Sequence, residues 1–331
     1  MDSPMLNKND LSGQTTPYHC QACPRRCLAD RRTGNGFCRV PESPFIVAKA
    51  YRHLWEEPCI SGSHGSGTIF FSGCNLACVF CQNADISQDV KGYSLTAARL
   101  EELCWLLAEQ GAANLNLVTP DHYALSLIPV LRRLKQQQFP LPVVWNSNAY
   151  EQVETLRQLE GLVDVYLPDL KYWDDRYAVA YSKAPHYFHF AALAIREMYR
   201  QTGPASLLNA QGLLTHGVLV RHLMLPGLFF DTRKLMDWLW HTFGSGIVLS
   251  LMNQYVPMYH AADYKALQRP LSAMEYDRMT AYVWQLGFRR CYTQEPVDLQ
   301  TNYTPDFDGQ GVADLLRSVL AAAPAAASAG D

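Results

Sequence analysis

Three cysteines spaced C-x3-C-x2-C, at Cys74, Cys78 and Cys81, let one short loop aim three thiolates at a common point. Thiolates are soft ligands that select zinc, copper(I) or iron–sulfur centres. Three of them can hold three irons of a [4Fe–4S] cubane and leave the fourth iron open to an external ligand. The competing reading is a structural zinc knot with Cys59 or His64 as a fourth ligand. Zinc sites, however, pair cysteines as C-x2-C with a second pair further on, which this spacing does not match. A second group, Cys20-x2-Cys23-x3-Cys27-x10-Cys38, supplies four thiols within 19 residues. That segment is too short to bury a core, so a metal is expected to order it. Zinc and a second iron–sulfur cluster both fit there. Iron–sulfur is slightly preferred, because the chain already has to receive one cluster. Five arginines, Arg25, Arg26, Arg31, Arg32 and Arg39, crowd this segment and read as its solvated rim.

The elements that must position these groups alternate between strand and helix. Short apolar strands are expected at Thr68–Phe71, Leu115–Val118, Val143–Trp145, Val163–Leu167, Val218–Leu225 and Ile247–Leu251. Between them fall helical patterns at Thr96–Gln110, His122–Gln138 (with a kink or break expected at Pro129), Glu151–Glu160, Asp174–Gln201 (broken near Pro185), Asp231–Phe243 with Asp231 as N-cap, and Ser272–Leu286. Repeated βα units imply parallel strands with helical crossovers. Six such strands suit an open, partial (β/α)6 barrel better than a closed eight-stranded one. The Cys74 loop then follows the first strand at its C-terminal end, where parallel α/β folds place their active sites. The expected organisation is a disordered stretch over 1–17, a Cys-rich metal knuckle over 18–45, the partial barrel over 46–316 and a flexible tail over 317–331. Residues 46–67 read as an irregular approach to the barrel, and Cys104 as a core residue.

Several segments carry a resemblance: Cys20-x2-Cys23-Pro24-Arg25-Arg26-Cys27, Trp55-Glu56-Glu57-Pro58, the Cys74 motif, Asn116 to Pro120, Leu167-Pro168-Asp169-Leu170-Lys171-Tyr172, Arg221 to Gly227, and Ser250 to Tyr255. Together they resemble the radical S-adenosylmethionine (SAM) superfamily, within it the branch similar to pyruvate formate-lyase activating enzyme, in a form with an extra N-terminal cysteine motif. The resemblance implies a SAM chelated to the open iron and reductively cleaved to methionine and a 5′-deoxyadenosyl radical, which abstracts hydrogen from a substrate. It implies metal ligation by Cys74, Cys78 and Cys81, with Cys20, Cys23, Cys27 and Cys38 as the second metal site. It places Phe80 near the adenine and Asp169 near the SAM carboxylate. Lys171 and Arg221 are the catalytic-centre cations, each able to pair with a carboxylate. Asn146 and Asn253 are further cofactor-binding positions. Many relatives carry Gly-Gly-Glu after the second strand; this chain has Val118-Thr119-Pro120-Asp121-His122 there, so either Thr119 or Asp121 takes the SAM amino group. Activases often place a histidine after the last strand, where this chain has Asn253-Gln254. The implied activity is therefore hydrogen abstraction by a radical SAM oxidoreductase, as a glycyl-radical activase or as a modifier of a small molecule, peptide or RNA. A non-catalytic iron–sulfur carrier or metal-stabilised binding module is the reading from another class; it leaves Asp169, Lys171 and Arg221 without a task. A flavodoxin- or ferredoxin-type reductant is the implied electron donor.

Bulk composition narrows the field. The net charge of −3 offers no large positive field for nucleic acid or anionic membranes. No run of 18 or more apolar residues is present, so no membrane span is expected. The polar N-terminus does not read as a signal peptide, so a reducing compartment, the cytoplasm, is expected, and clustered thiols there read as metal ligands.

Overall fold

The computed structural model describes residues 19–204, 206–294 and 305–322. The expectation for 1–17 and most of that for the tail lie outside the described residues.

The strands in chain order are β1 (Phe45–His53), β2 (Ser66–Phe71), β3 (Tyr93–Leu95), β4 (Leu115–Val118), β5 (Val143–Ser147), β6 (Val165–Pro168), β7 (Leu207–Leu208), β8 (Leu214–Leu223), β9 (Val248–Met252) and β10 (Cys291–Thr293). They form one sheet in the order β10-β9-β8-β6-β5-β4-β2-β1-β3, with β7 paired to β8. From β2 to β10 the neighbours are parallel; β1 is antiparallel to β2 and to β3. Among the described residues β3 and β10 do not pair, so the barrel is open. All six expected strands form, and β10 extends the parallel run by one.

The helices are α1 (Pro58–Ser61), α2 (Ala84–Ser87), α3 (Ala97–Glu109), α4 (Ala124–Gln136), α5 (Val153–Arg157), α6 (Asp175–Ser182), α7 (Tyr187–Thr202), α8 (Phe229–Phe243), α9 (Ala273–Leu286) and α10 (Val312–Ala322). Thr96 caps α3 through Arg99 N, and Ser272 with Glu275 closes a capping box on α9.

Strand periodicity of two separates the core into an outer and an inner part. Val143, Trp145, Tyr166, Val218, Val220, Leu249 and Leu251 face the helices in the large cluster. Their alternates Val144, Val165, Leu167, Leu219 and Val248 face inward, where Cys59 and Ile60 of α1 plug the barrel floor. Further along the same strands the inward positions turn polar: Asn146, Asp169, Arg221 and Ser250. The barrel is thus apolar below and polar towards the C-terminal strand ends.

Four expectations are corrected. Residues 45–53 are not irregular but form β1, an edge-side strand of mixed polarity whose pairing with β2 and β3 comes from tertiary context. The 151–160 helix shrinks to α5. Pro129 does not break α4: the helix runs through it, held by the buried side chains of Ile128, Val130 and Leu131. Helix α8 begins at Phe229, so Asp231 is not its N-cap. Its carboxylate instead accepts from Trp173 N at 2.8 Å and Asp174 N at 2.9 Å, outside its own helix.

Candidate active site

The Cys74–Cys81 loop leaves β2 through Gly73, which has φ +83°. A Cβ there would sit 2.5 Å from the Cys38 carbonyl oxygen and 2.9 Å from Val40 Cγ1. Only glycine fits, for both conformation and space. The same contact seats the N-terminal knuckle directly against the loop. Buried Leu76, Val79 and Phe80 anchor the loop, and Ala77 N and Val79 N donate to Ser182 and Tyr181 carbonyls of α6.

Each thiol has polar company. Leu76 N lies 3.3 Å and Asn148 Nδ2 3.6 Å from Cys74 Sγ; Ser182 Oγ is 2.9 Å from Cys78 Sγ and Ser87 Oγ 3.2 Å from Cys81 Sγ. Burial pushes all three thiols up, Cys78 to about 11. A cationic core reverses that preference, since a coordinated thiol is deprotonated outright. Amide and hydroxyl donors beside the sulfurs then tune the bound cluster. The donor set therefore fits an iron–sulfur cluster held by three thiolates.

Beside this loop lies a belt of charge centred on Arg221. Its Nε donates to Asp169 Oδ1 at 2.7 Å, Nη1 to Glu56 Oε2 at 3.0 Å and Nη2 to Asn146 Oδ1 at 2.5 Å. Lys171 Nζ donates to Asp169 Oδ2 at 3.0 Å. Asn116 and Asn146 donate to Glu56 Oε1 at 3.1 and 3.3 Å. Burial opposes the charge on Asp169, but Arg221 and Lys171 outweigh it and hold the carboxyl below its usual value. Burial likewise opposes the charge of Arg221, and Asp169, Glu57 and Glu56 outweigh it. Glu57 differs: burial pushes it up, and its Oε2 has no hydrogen-bond partner among the described residues.

These groups open into one cavity of about 610 Å³, lined among others by Cys78, Phe80, Cys81, Asn146, Asp169, Lys171 and Arg221. That volume is in the range of small-molecule and cofactor sites. Phe80 stacks edge-on against Tyr255, 5.9 Å between ring centres, and Gln82 Nε2 donates to the Gln254 carbonyl. The loop is thereby tied to the segment after β9.

The structure thus brings Phe80, Asn146, Asp169, Lys171 and Arg221 together with Cys78 and Cys81. Thr119, Asp121 and Asn253 are not among the described residues lining this cavity. Asp121 is buried, with Oδ1 accepting from Asn148 N at 3.3 Å and Oδ2 unpartnered among the described residues. Burial and nearby Glu151 raise it strongly, and burial takes Glu151 to about 7. Thr119 adopts φ +56° and donates its N–H to Asn146 O. Asn253 N donates to Gln294 Oε1 at 2.6 Å.

Sequence reasoning missed His53, Glu56, Glu57, Asn148, Ser87 and Ser182 as site residues. Only Glu56 and Glu57 carried a signal, the paired acids of Trp55-Glu56-Glu57-Pro58. The others come from elements far apart in sequence.

In the knuckle, Cys20, Cys23, Cys27 and Cys38 line one small cavity together with Arg31, Asn75 and His122. His122 is buried, and its Nδ1 has no partner among the described residues. Burial pushes Cys23 up to about 12, and the charges of Cys20, Cys38 and Cys27 add to the shift, so the four thiols are neighbours. Arg25 Nε donates to Asn75 O at 2.7 Å, one residue from Cys74. As they stand, no three His, Cys, Asp or Glu side chains among the described residues converge at single-ion bonding distance.

An open parallel α/β barrel with a three-thiol loop at the C-terminal end of its first parallel strand defines the class. The chain belongs to the radical SAM superfamily: residues 68–239 match the family model of that description. It is 33% identical over 271 residues to the Uncharacterized protein MJ0674 of Methanocaldococcus jannaschii, covering 78% of this chain and 72% of that one. Among solved structures it is similar to methylornithine synthase (PylB), with 14% identity, TM-score 0.48, and 76% and 80% of the two chains covered. It is also similar to Streptococcus suis SuiB bound to S-adenosylmethionine, with 12% identity, TM-score 0.46, and 70% of this chain and 50% of that one covered. The chain thus matches half the length of SuiB. Membership brings the family's [4Fe–4S] cluster and SAM as cofactors. No helix among the described residues is long and apolar enough to cross a membrane.

Proposed function

We propose that this protein is a radical SAM enzyme that cleaves SAM reductively and abstracts hydrogen from a substrate bound in the barrel. The observation that carries this is the shared cavity: Cys78 and Cys81 open into the same space as Asp169, Lys171 and Arg221. When bound, the cluster supplies the electron that splits SAM into methionine and a 5′-deoxyadenosyl radical. Cys74, Cys78 and Cys81 would hold it. Lys171, held at 3.0 Å by Asp169, keeps an ammonium ready for a carboxylate without an unpaired charge in the resting site. Arg221 fixes Asp169 and Asn146 by its planar fork, so these side chains need no reorganisation when ligand arrives. Phe80 offers an aromatic face beside the loop, and the apolar floor around Ile60 keeps water from below.

A cavity of this size, enclosed by barrel strands, favours a small molecule or a single side chain as substrate. The glycyl-radical activase version requires a protein backbone loop to enter the same space. One low-potential electron per turnover comes, in this reading, from a flavodoxin- or ferredoxin-type carrier in a reducing, cytoplasmic setting. We read Cys20, Cys23, Cys27 and Cys38 as a second thiolate metal centre, supported by their common cavity with the unpartnered His122 Nδ1.

The test is anaerobic reconstitution, reduction, addition of SAM and assay for 5′-deoxyadenosine. Its formation is expected. Its absence, with an intact cluster and SAM bound, overturns the proposal.

A further inference from the structure

The cavity extends past the cofactor groups to a second set of residues that the reaction outlined above does not use. Strand register puts Asp169 beside Arg221, Arg221 opposite Ser250, and Ser250 opposite Tyr292. This row lies two residues inside the end of β9 at Met252, and so deeper than the Gln82–Gln254 contact at the rim. Glu57 reaches the row from the segment before α1. Its side chain is only 8% exposed, with Ser250 beside it. Glu57 lines the cavity, and its buried Oε2 has no hydrogen-bond partner among the described residues. Arg221 does not supply one: its Nη1 is 3.9 Å away, and its fork is already engaged by Asp169, Glu56 and Asn146.

A buried carboxylate oxygen without a partner is costly, so it marks a place where a donor is missing. Among the described residues the cavity lining holds three carboxylates, Glu56, Glu57 and Asp169, against two fixed cations, Lys171 and Arg221. His53 does not add a third. Its Nδ1 is 2.5 Å from Tyr51 Oη, and burial with nearby Arg221 and Lys49 keeps the ring neutral, down to about 4. Trp55 and Tyr292 add aromatic surface to the same lining, which favours a cation over an anion. Below, Ile60, Leu167, Leu219 and Val248 close the floor with apolar side chains that offer no hydrogen bond.

We propose that the inner end of the cavity, formed by Glu57, Ser250 and Tyr292, binds a cationic nitrogen of the substrate, an ammonium or guanidinium, with Glu57 as its counter-ion. This rests on the reading of the site as a radical SAM centre and adds the class of substrate. The missing donor is then supplied by the ligand, whose positive charge offsets the excess of acidic groups. The same chemistry has a second source, the ammonium of SAM itself, which the experiment separates.

The experiment titrates the cluster-loaded, SAM-saturated protein anaerobically with agmatine, which carries both an ammonium and a guanidinium, and follows binding by calorimetry. Saturable binding is expected. Glu57→Gln weakens it at least tenfold, Ser250→Ala weakens it several-fold by freeing Glu57, and the uncharged analogue butylurea does not bind. The cluster absorption spectrum and SAM affinity of each variant serve as the folding control, with Ser250→Ala as the milder change. No binding to the SAM-loaded protein, unaltered binding to both variants, or binding only when SAM is absent each overturns the proposal. The last would assign the pocket to the SAM ammonium. If agmatine binds while no 5′-deoxyadenosine forms, the reaction reading fails and the cation site stands. If 5′-deoxyadenosine forms while agmatine does not bind, the cation site alone fails.

Discussion

Replacing Arg221 with methionine removes the one guanidinium on which three buried acceptors converge. Asp169, Glu56 and Asn146 lose bonds of 2.7, 3.0 and 2.5 Å, and Glu57 loses its nearest cation at 3.9 Å. Methionine fills most of the arginine stem, so the packing loss is small and the electrostatic loss dominates. Breaking a buried ion pair from one side costs about 3–5 kcal/mol, because the remaining charges stay buried without compensation. Lys171 still pairs with Asp169, which places the expectation at the lower end, about 3 kcal/mol. Arg221→Lys keeps the charge but not the fork, so it recovers only part of this. The sign with pH follows from linkage. In the variant the abandoned carboxyls have raised folded pKa values, so the folded state takes up protons more readily than the unfolded one, and the penalty shrinks as pH falls from about 8 to about 5. Urea unfolding across that range measures it, with an unchanged m-value as the check that only stability moved. A loss under about 1 kcal/mol, or one that does not change with pH, refutes the reasoning.

Other changes test other parts of the site. Gly73→Ala, with its Cβ 2.5 Å from the Cys38 carbonyl, should push the knuckle off the cysteine loop and lower iron content per chain; full loading would show the contact is dispensable. Burial pushes the Glu151 carboxyl of the folded chain up to about 7 from an ordinary 4.5. Between those values the folded state holds a proton the unfolded chain lacks, so stability falls as pH rises, by up to about 1.4 kcal/mol per pH unit. Glu151→Gln should flatten that slope in thermal melts followed from pH 5 to 8, and an unchanged slope would remove Glu151 as its cause. Cys78→Ala should abolish the reduced-cluster signal of the barrel centre, and its persistence would reassign the ligand.

Much of the barrel was legible because its parallel strands are short, apolar and separated by amphipathic helices. Thr68–Phe71, Leu115–Val118 and Ile247–Leu251 needed only periodicity. Strand β1 was not: Phe45–His53 mixes Lys49, Arg52 and His53 with apolar residues, and only pairing with β2 and β3 makes it a strand. The α8 start failed for a similar reason, since Asp231 caps nothing in its own helix and serves Trp173 and Asp174 instead. Within the site, Asp169, Lys171 and Arg221 were visible as motif residues, and the structure supplies the bonds between them. Glu57 was not singled out, because its meaning lies in a missing partner, which spacing does not encode. Thr119, Asp121 and Asn253 were nominated by position after strands, whereas the described cavity is lined by neighbouring positions such as Val118 and Gln254.

The most direct test of the account is the electron paramagnetic resonance spectrum of the reduced, anaerobic protein before and after SAM is added. An iron free of protein thiolate predicts that SAM reshapes the cluster signal in the wild type, and that the change persists in a Cys20→Ala/Cys23→Ala variant lacking the knuckle thiols. A signal indifferent to SAM, or zinc in place of iron at Cys74, Cys78 and Cys81, would contradict it.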